Sequence, residues 1–206
     1  YNRAHFLREA LQSALNQTYK DFEIVVADNA STDYTTEVVA SFKDPRIRYY
    51  RHPANIGMTR NWQFALSKAK AEFIAPLADD DHYLPEHLAT ALDVLDQYPS
   101  AAYYTSPAEF FGGKTGFYRP WAITDTTTPL IYFAPKQAVD FLGMDHPGPM
   151  NSMVCRREAL KNLFWGKPDY IPQDLLIMTQ LMVQGGFVFG NCVTTRYRHH
   201  GANESS

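Results

Sequence analysis

The chain has 206 residues, 45% of them hydrophobic, and a formal net charge of -3, which fits one ordinary domain with a sizeable core and excludes a largely disordered chain. Its charges are scattered with no basic block, so nothing electrostatic points to nucleic acid as a partner. The two cysteines, Cys155 and Cys192, form no close-spaced pair, which argues against a disulfide scaffold or a zinc ribbon and for a reduced, cytoplasmic setting; no signal peptide is visible, and no apolar run approaches the roughly 20 residues of a membrane span.

From Asn2 onward, Phe6, Leu7, Ala10, Leu11, Ala14 and Leu15 make one apolar stripe at helical spacing, with Asn2 placed to cap the helix. FEIVVA at 22–27 is rich in β-branched residues and does not alternate, which predicts a strand buried on both faces. Asp28–Asp33 reads as a polar turn in which Ser31, Thr32 or Asp33 caps a second helix. That helix runs to about Phe42, with Tyr34, Val38, Val39 and Phe42 inward. Ile47–Tyr50 predicts a second strand and Asn55-Ile56-Gly57 a turn. Trp62, Ala65, Leu66 and Ala69 mark the face of a third helix. Glu72–Leu77 predicts a third strand, and Pro85 the first residue of a fourth helix faced by Leu84, Leu88, Leu92 and Leu95. Helix and strand alternate with short connections, the signature of an α/β domain with a mostly parallel sheet.

The second half is less regular. Ala102–Thr105 predicts a strand, 106–134 loops or short antiparallel strands, and Pro135–Leu142 a helix. Ser152–Cys155 predicts a strand and Arg157–Leu163 a helix. Gln173–Val183 predicts a longer helix with Leu175, Leu176, Thr179, Met182 and Val183 on one side. Phe187–Phe189 and Val193–Arg198 close the chain as strands. No linker divides it, so one domain spans 1–206.

In an open α/β sheet, ligands gather at the carboxyl ends of the strands. Asp28 follows the FEIVVA strand, and Asp79-Asp80-Asp81 follows FIAPL. Three adjacent carboxylates repel one another. They read either as a hard-cation site, sharing Mg²⁺ or Mn²⁺ with substrate phosphate, or as a solvated helix start that complements the helix dipole. Asp174, opening a late helix, reads as its cap. There is no P-loop, no Gly-x-Gly-x-x-Gly and no Gly-x-Ser-x-Gly elbow. The aromatics Tyr103-Tyr104, Phe110-Phe111, Trp121 and Trp165, and the loop from His146 to Asn151, are candidates for lining a second, acceptor site, and most aromatics are expected in the core.

Three pieces, YNRAHFLREALQSALNQTYKDFEIVVADNASTD at 1–33, ANIGMTRNWQFAL at 54–66 and EFIAPLADDDHYLP at 72–85, resemble in order and spacing the nucleotide-binding half of family 2 glycosyltransferases. The resemblance implies the GT-A fold, a Rossmann-like, mostly parallel sheet flanked by helices, with a small antiparallel portion in the second half. It implies a nucleotide-sugar-binding half over 1–100 and an acceptor-binding half over 101–206. In that family a strand ending in Pro-Thr precedes the Tyr-Asn, so a first strand is expected before residue 1. Carried over by position, Tyr1 packs on the nucleobase, Asp28 bonds the base edge, and Asp33 and Arg60 lie near the nucleotide. Asp79 approaches the ribose or the metal and Asp80 ligates the metal. Asp81 is a further metal candidate. Ala78 departs from the family, where Asp is frequent at that position, which bears on how tightly metal is held. More weakly, Gln173-Asp174 resembles a Glu-Asp pair whose Asp is the catalytic base, and YRHHGANESS at 197–206 resembles a terminal pattern that places His200 at the metal or diphosphate with Arg198 beside it. Exposed polar tail residues are an equal reading of that segment.

The resemblance thus implies an inverting, Mn²⁺- or Mg²⁺-assisted transfer of a sugar from a nucleotide sugar, UDP by family habit with dTDP open, to a saccharide or lipid-linked acceptor. A cytoplasmic domain at the inner membrane face, serving cell-envelope polysaccharide synthesis, is the expected setting. A nucleotidyltransferase and a non-catalytic sugar- or nucleotide-binding module of the same fold are the alternatives.

Overall fold

The computed structural model describes residues 1–113, 115–120, 122–142, 148–165 and 173–200. Helix α1 (Ala4–Leu15) leads to strand β1 (Ile24–Asp28), helix α2 (Thr35–Ser41), strand β2 (Ile47–Arg51) and helix α3 (Met58–Lys68). Strands β3 (Phe73–Ile74) and β4 (His82–Tyr83) flank the acidic loop and precede helix α4 (His87–Gln97). Strands β5 (Tyr103–Thr105), β6 (Ala108–Phe111), β7 (Phe117–Tyr118) and β8 (Leu130–Phe133) follow, then helix α5 (Pro135–Leu142) and strand β9 (Val154–Arg156). Helix α6 (Gln173–Gly185) and strands β10 (Phe187–Gly190) and β11 (Thr195–Arg198) complete the described elements.

Strands β1 and β2 pair in parallel. A five-stranded sheet runs β3-β9-β5-β10-β8, and a four-stranded one runs β4-β11-β6-β7. The alternation of the first half is as expected, while antiparallel pairing reaches further than the sequence pattern indicates, because β9 inserts antiparallel between β3 and β5. The third strand is shorter than Glu72–Leu77, since only Phe73 and Ile74 pair. Pro76 has no N–H for a ladder bond, which limits extension. The fourth helix begins at His87, two residues after Pro85. Strand β1 carries the expected apolar run, yet Ile24, Val25, Val26 and Ala27 are half-buried instead of enclosed on both faces. Arg157–Leu160 forms a short 3-10 turn in place of the longer predicted helix.

The main core lies between α5, α6 and the five-stranded sheet. Phe187 stacks on Tyr103 and Phe133 with centroid distances of 5.4 and 4.6 Å, and Phe141 meets it edge-on at 5.7 Å. Ile177, Met178, Leu181 and Met182 of α6 fill the layer above. The inward face of α6 is therefore rotated from the predicted one, and Val183 is 54% exposed. LLIMTQLMV is apolar on nearly every side, so period alone could not choose the face. Tyr34 likewise points outward. At the end of α6 the chain turns through Gly186, at φ 70°, where an added Cβ would lie 2.0 Å from the Phe133 carbonyl oxygen. Only glycine allows that left-handed turn and close approach.

Candidate active site

The loop after β1 is built around two aspartates. Asp28 Oδ1 accepts the Ser31 N–H at 2.9 Å, and Oδ2 accepts the Tyr49 hydroxyl at 2.7 Å, with Arg51 Nε at 3.5 Å. Burial pushes this carboxyl up, but the Ser31 and Tyr49 hydrogen bonds and the Arg51 charge outweigh it, and the net shift is downward. Asp33 Oδ2 accepts the Ala4 N–H at 2.9 Å, while Oδ1 accepts the Thr35 N–H at 3.1 Å and the Thr35 hydroxyl at 2.6 Å. One carboxylate thus caps both α1 and α2. The expected cap of α1, Asn2, instead adopts φ 55° and accepts the Thr32 N–H at 2.7 Å. The cap comes from a residue far along the chain, which sequence periodicity does not reveal.

Helix α3 is tied to this loop. Asn61 Nδ2 donates to the Ala27 carbonyl at 2.8 Å, Asn29 Nδ2 donates to Asn55 Oδ1 at 2.8 Å, and Asn29 Oδ1 accepts the Ile56 N–H at 2.8 Å. These bonds fix the first turn of α3, where Arg60 is exposed and has no hydrogen bond or ion pair among the described residues. Tyr1 is 54% exposed, and its main-chain nitrogen lies 3.6 Å from Asp79 Oδ2.

The acidic triplet divides into two parts. Asp81 turns inward, with Oδ1 accepting the Arg198 main-chain N–H at 2.9 Å and only 3% of the residue exposed. Burial, reinforced by the Asp80 and Asp79 charges and opposed by the Arg198 hydrogen bond, pushes its carboxyl up to about 8. Asp79 and Asp80 face the other way, onto Arg3. One guanidinium nitrogen of Arg3 lies 3.2 Å from Asp79 Oδ1 and 2.9 Å from Asp80 Oδ2. His200 Nε2 lies 3.2 Å from the same Asp80 Oδ2, and its ring stacks on Phe6 with centroids 4.9 Å apart. The structure therefore joins Asp79 and Asp80 through Arg3, brings His200 to Asp80, and leaves Asp81 in a structural position. Among the described residues, no three His, Cys, Asp or Glu side chains form a ready-made metal cage. The donors still fit a hard dication. Two carboxylate oxygens converge on a single cationic nitrogen, and Mg²⁺-like ions commonly take one or two carboxylates and complete their shell with phosphate and water.

Arg198 supports the loop from beneath. Its Nε donates to the Asp80 carbonyl at 2.9 Å, its Nη2 pairs with Glu9 and lies 3.2 Å from His82 Nε2, and the guanidinium sits over the Phe6 and Phe111 rings at 4.7 and 4.3 Å. Burial first, and then the Arg198 charge, lower the His82 imidazole. Arg198 thus acts as a brace here, and Phe111 packs on it. Asp174 lies at the start of α6, where its Oδ1 accepts the Leu175 N–H at 2.8 Å. Helix α6 shares a core with Trp62 of α3 and Ile74 of β3.

Several candidates for a second site prove structural. Tyr103 and Tyr104 are fully buried, Trp165 packs on the core, and buried Asn151 donates to the Arg196 carbonyl at 3.2 Å. Trp121, His146 and the tail from Gly201 lie outside the described residues. Arg3, Asn29, Asn61 and Tyr49 were not singled out from sequence, since each acts through a partner more than twenty positions away or on another element.

This architecture is shared with solved structures. TarS of S. aureus, residues 1–349 in complex with UDP-GlcNAc, superposes with a TM-score of 0.79 at 17% identity, covering 98% of this chain and 57% of that one. The mannosyltransferase PcManGT from Pyrobaculum calidifontis, in complex with GDP-Man and Mn²⁺, superposes with a TM-score of 0.70 at 19% identity, covering 98% and 56%. The fold is thus that of the GT-A glycosyltransferases. The family model described as Glycosyl transferase family 2 matches residues 1–164, and the chain belongs to that family. An uncharacterised glycosyltransferase of Rickettsia typhi is 33% identical over 97 residues, covering 47% of this chain and 30% of that protein. An uncharacterised protein of Mycobacterium tuberculosis is 28% identical over 166 residues, covering 77% and 45%. The chain therefore spans less than half the length of these two relatives. Among the described residues, no helix is long and apolar enough to cross a membrane.

Proposed function

We propose that this chain is the donor-binding and catalytic portion of an inverting glycosyltransferase, which moves a sugar from a nucleotide sugar, a UDP-sugar foremost, to a hydroxyl of a saccharide or lipid-linked acceptor at the cytoplasmic side of the cell envelope. The observation that carries the reading is the convergence of Asp79 and Asp80 on one cationic nitrogen, with His200 at Asp80, in a member of family 2. Nucleotide sugars in both structural neighbours, and Mn²⁺ in one, support a nucleotide-sugar donor and a divalent metal.

Asp79, Asp80 and His200 would hold Mn²⁺ or Mg²⁺, whose chemistry is to neutralise the charge growing on the departing diphosphate. Exposed Tyr1 packs on the nucleobase. Asp28, its side chain 2% exposed and held by Ser31, Tyr49 and Arg51, shapes the base pocket from beneath by locking Ser31. Asp33 places Tyr1 and Arg3 through its cap on α1. Arg60, exposed and without a hydrogen bond or ion pair among the described residues, offers its guanidinium to the phosphates. Asp174 removes the proton from the acceptor hydroxyl as that oxygen attacks the anomeric carbon in a single displacement.

Calorimetric titration of UDP with and without Mn²⁺ tests the donor site, with Asp80→Ala beside the wild type. The expected result is Mn²⁺-dependent binding that the substitution abolishes, with the fold retained. Unchanged UDP affinity in the variant would remove Asp80 from the site. Asp174→Asn should bind donor normally and lose transfer. Transfer at the wild-type rate would sink its assignment as the base.

A further inference from the structure

We infer that Arg3 is a built-in counter-cation of Asp79 and Asp80 that must leave them before a divalent metal binds, so that this ion pair and the metal exclude one another. The inference rests on the metal–diphosphate reading of the site above and adds a residue to it.

The geometry is specific. A single nitrogen of Arg3 bridges the two carboxylates, at 3.2 Å from Asp79 Oδ1 and 2.9 Å from Asp80 Oδ2. The oxygen it takes from Asp80 is the one that His200 also approaches. A cation bound to the same Asp79 Oδ1 and Asp80 Oδ2 would need to lie within about 2.0–2.6 Å of them, in the space the guanidinium nitrogen holds. A dication and a guanidinium that close would repel strongly in so poorly solvated a place. The loop also has a reason to keep such a partner. Asp80 is 6% exposed, so its carboxylate sits where water screens it weakly, and Asp79 beside it adds a second negative charge at a side chain 29% exposed. An unpaired carboxylate there would be costly.

Arg3 is suited to giving way. Its backbone is anchored, because its carbonyl accepts the Leu7 N–H at 3.0 Å and the next residue's N–H is capped by Asp33. Its side chain is long, flexible and 28% exposed. The carboxylates are cleared by rotating the side chain, while the Leu7 and Asp33 hydrogen bonds hold the start of α1. The freed guanidinium then stands at the edge of a site built for a diphosphate, which it is chemically able to grip.

The experiment titrates MnCl₂ into the whole chain without nucleotide, following the free-Mn²⁺ electron paramagnetic resonance signal. The wild type is compared with Arg3→Gln, with Arg3→Met, which keeps the length of the side-chain stem, and with Arg8→Gln. Arg8 lies on α1, which Arg3 immediately precedes, and carries the same charge, but its Nη1 donates to Ser41 Oγ at 3.3 Å. Circular dichroism confirms that each variant is folded. Removing the competing ion pair should tighten Mn²⁺ binding about fivefold in both Arg3 variants and leave Arg8→Gln like the wild type. Equal Mn²⁺ affinity in the wild type and both Arg3 variants would overturn the inference while leaving the metal site standing. An equal gain in Arg8→Gln would also overturn it, since general charge would then be the cause. No Mn²⁺ binding by any of these proteins, even with UDP present, would overturn the metal reading and this inference together.

Discussion

Asp33 joins the fold to the site, and its removal has a magnitude that follows from its contacts. The carboxylate accepts the Ala4 N–H at 2.9 Å and, through its other oxygen, the Thr35 N–H and hydroxyl at 3.1 and 2.6 Å. Asp33→Ala removes the caps of two helices at once. One lost cap costs about 1 kcal/mol, and hydrogen bonds to a charged acceptor lie at the upper end of the usual range, so a loss of about 2–3 kcal/mol is expected. In urea, with a slope of roughly 2 kcal/mol per molar for a domain of this size, the midpoint should fall by about 1–1.5 M. Asp33→Asn separates the two caps. Its amide oxygen can still serve Thr35, while its NH₂ group faces the Ala4 N–H and cannot accept from it. About half the loss is therefore expected, near 1 kcal/mol. Urea unfolding followed by far-ultraviolet circular dichroism measures both variants. An Asp33→Ala midpoint equal to that of the wild type would refute the double-cap reasoning. A collapse of UDP affinity in Asp33→Asn with full stability retained would show that the carboxylate's main business is with the nucleotide.

Arg198→Ala removes the bond to the Asp80 carbonyl, the Glu9 pair and the packing on Phe6 and Phe111. A side chain only 13% exposed should cost about 2–4 kcal/mol when truncated, and unfolding like that of the wild type would show that it is no brace. Gly186→Ala places a Cβ 2.0 Å from the Phe133 carbonyl oxygen at φ 70°. The turn between α6 and β10 must shift, and a loss of about 3 kcal/mol or more in urea is expected. His87 is fully buried with Nδ1 2.9 Å from Thr194 Oγ1, and burial depresses its imidazole from 6.5 to about 3. Between those pH values the unfolded chain binds the additional proton. The stability owed to neutral His87 is thus fully present above pH 6.5 and is lost as pH falls toward 3. The loss approaches about 1.4 kcal/mol per pH unit over that window. His87→Gln should flatten the pH dependence of the urea midpoint by one proton's worth, and an unchanged slope would place the acid lability elsewhere.

The local signals in the chain were enough to place most elements and the acidic loop. The stripe from Phe6 to Leu15, the FEIVVA run and the Pro135–Leu142 pattern each carry their own periodicity or composition, which neighbouring residues alone create. Asp28, Asp33 and Asp79-Asp80-Asp81 stand out because polar clusters following apolar runs mark strand ends. Only the tertiary structure decided what each carboxylate does. Asp81 turns inward because β11 presents the Arg198 N–H there, and Asp79 and Asp80 turn onto Arg3. Asp33, not Asn2, caps α1 because the loop after β1 folds back on the helix start. The buried face of α6 depended on simultaneous packing against α5 and the sheet, in a segment apolar on nearly all sides. Hydrogen bonds and ion pairs between residues dozens of positions apart leave no periodic trace in a sequence, because their partners are chosen by the packing of elements and not by spacing along the chain.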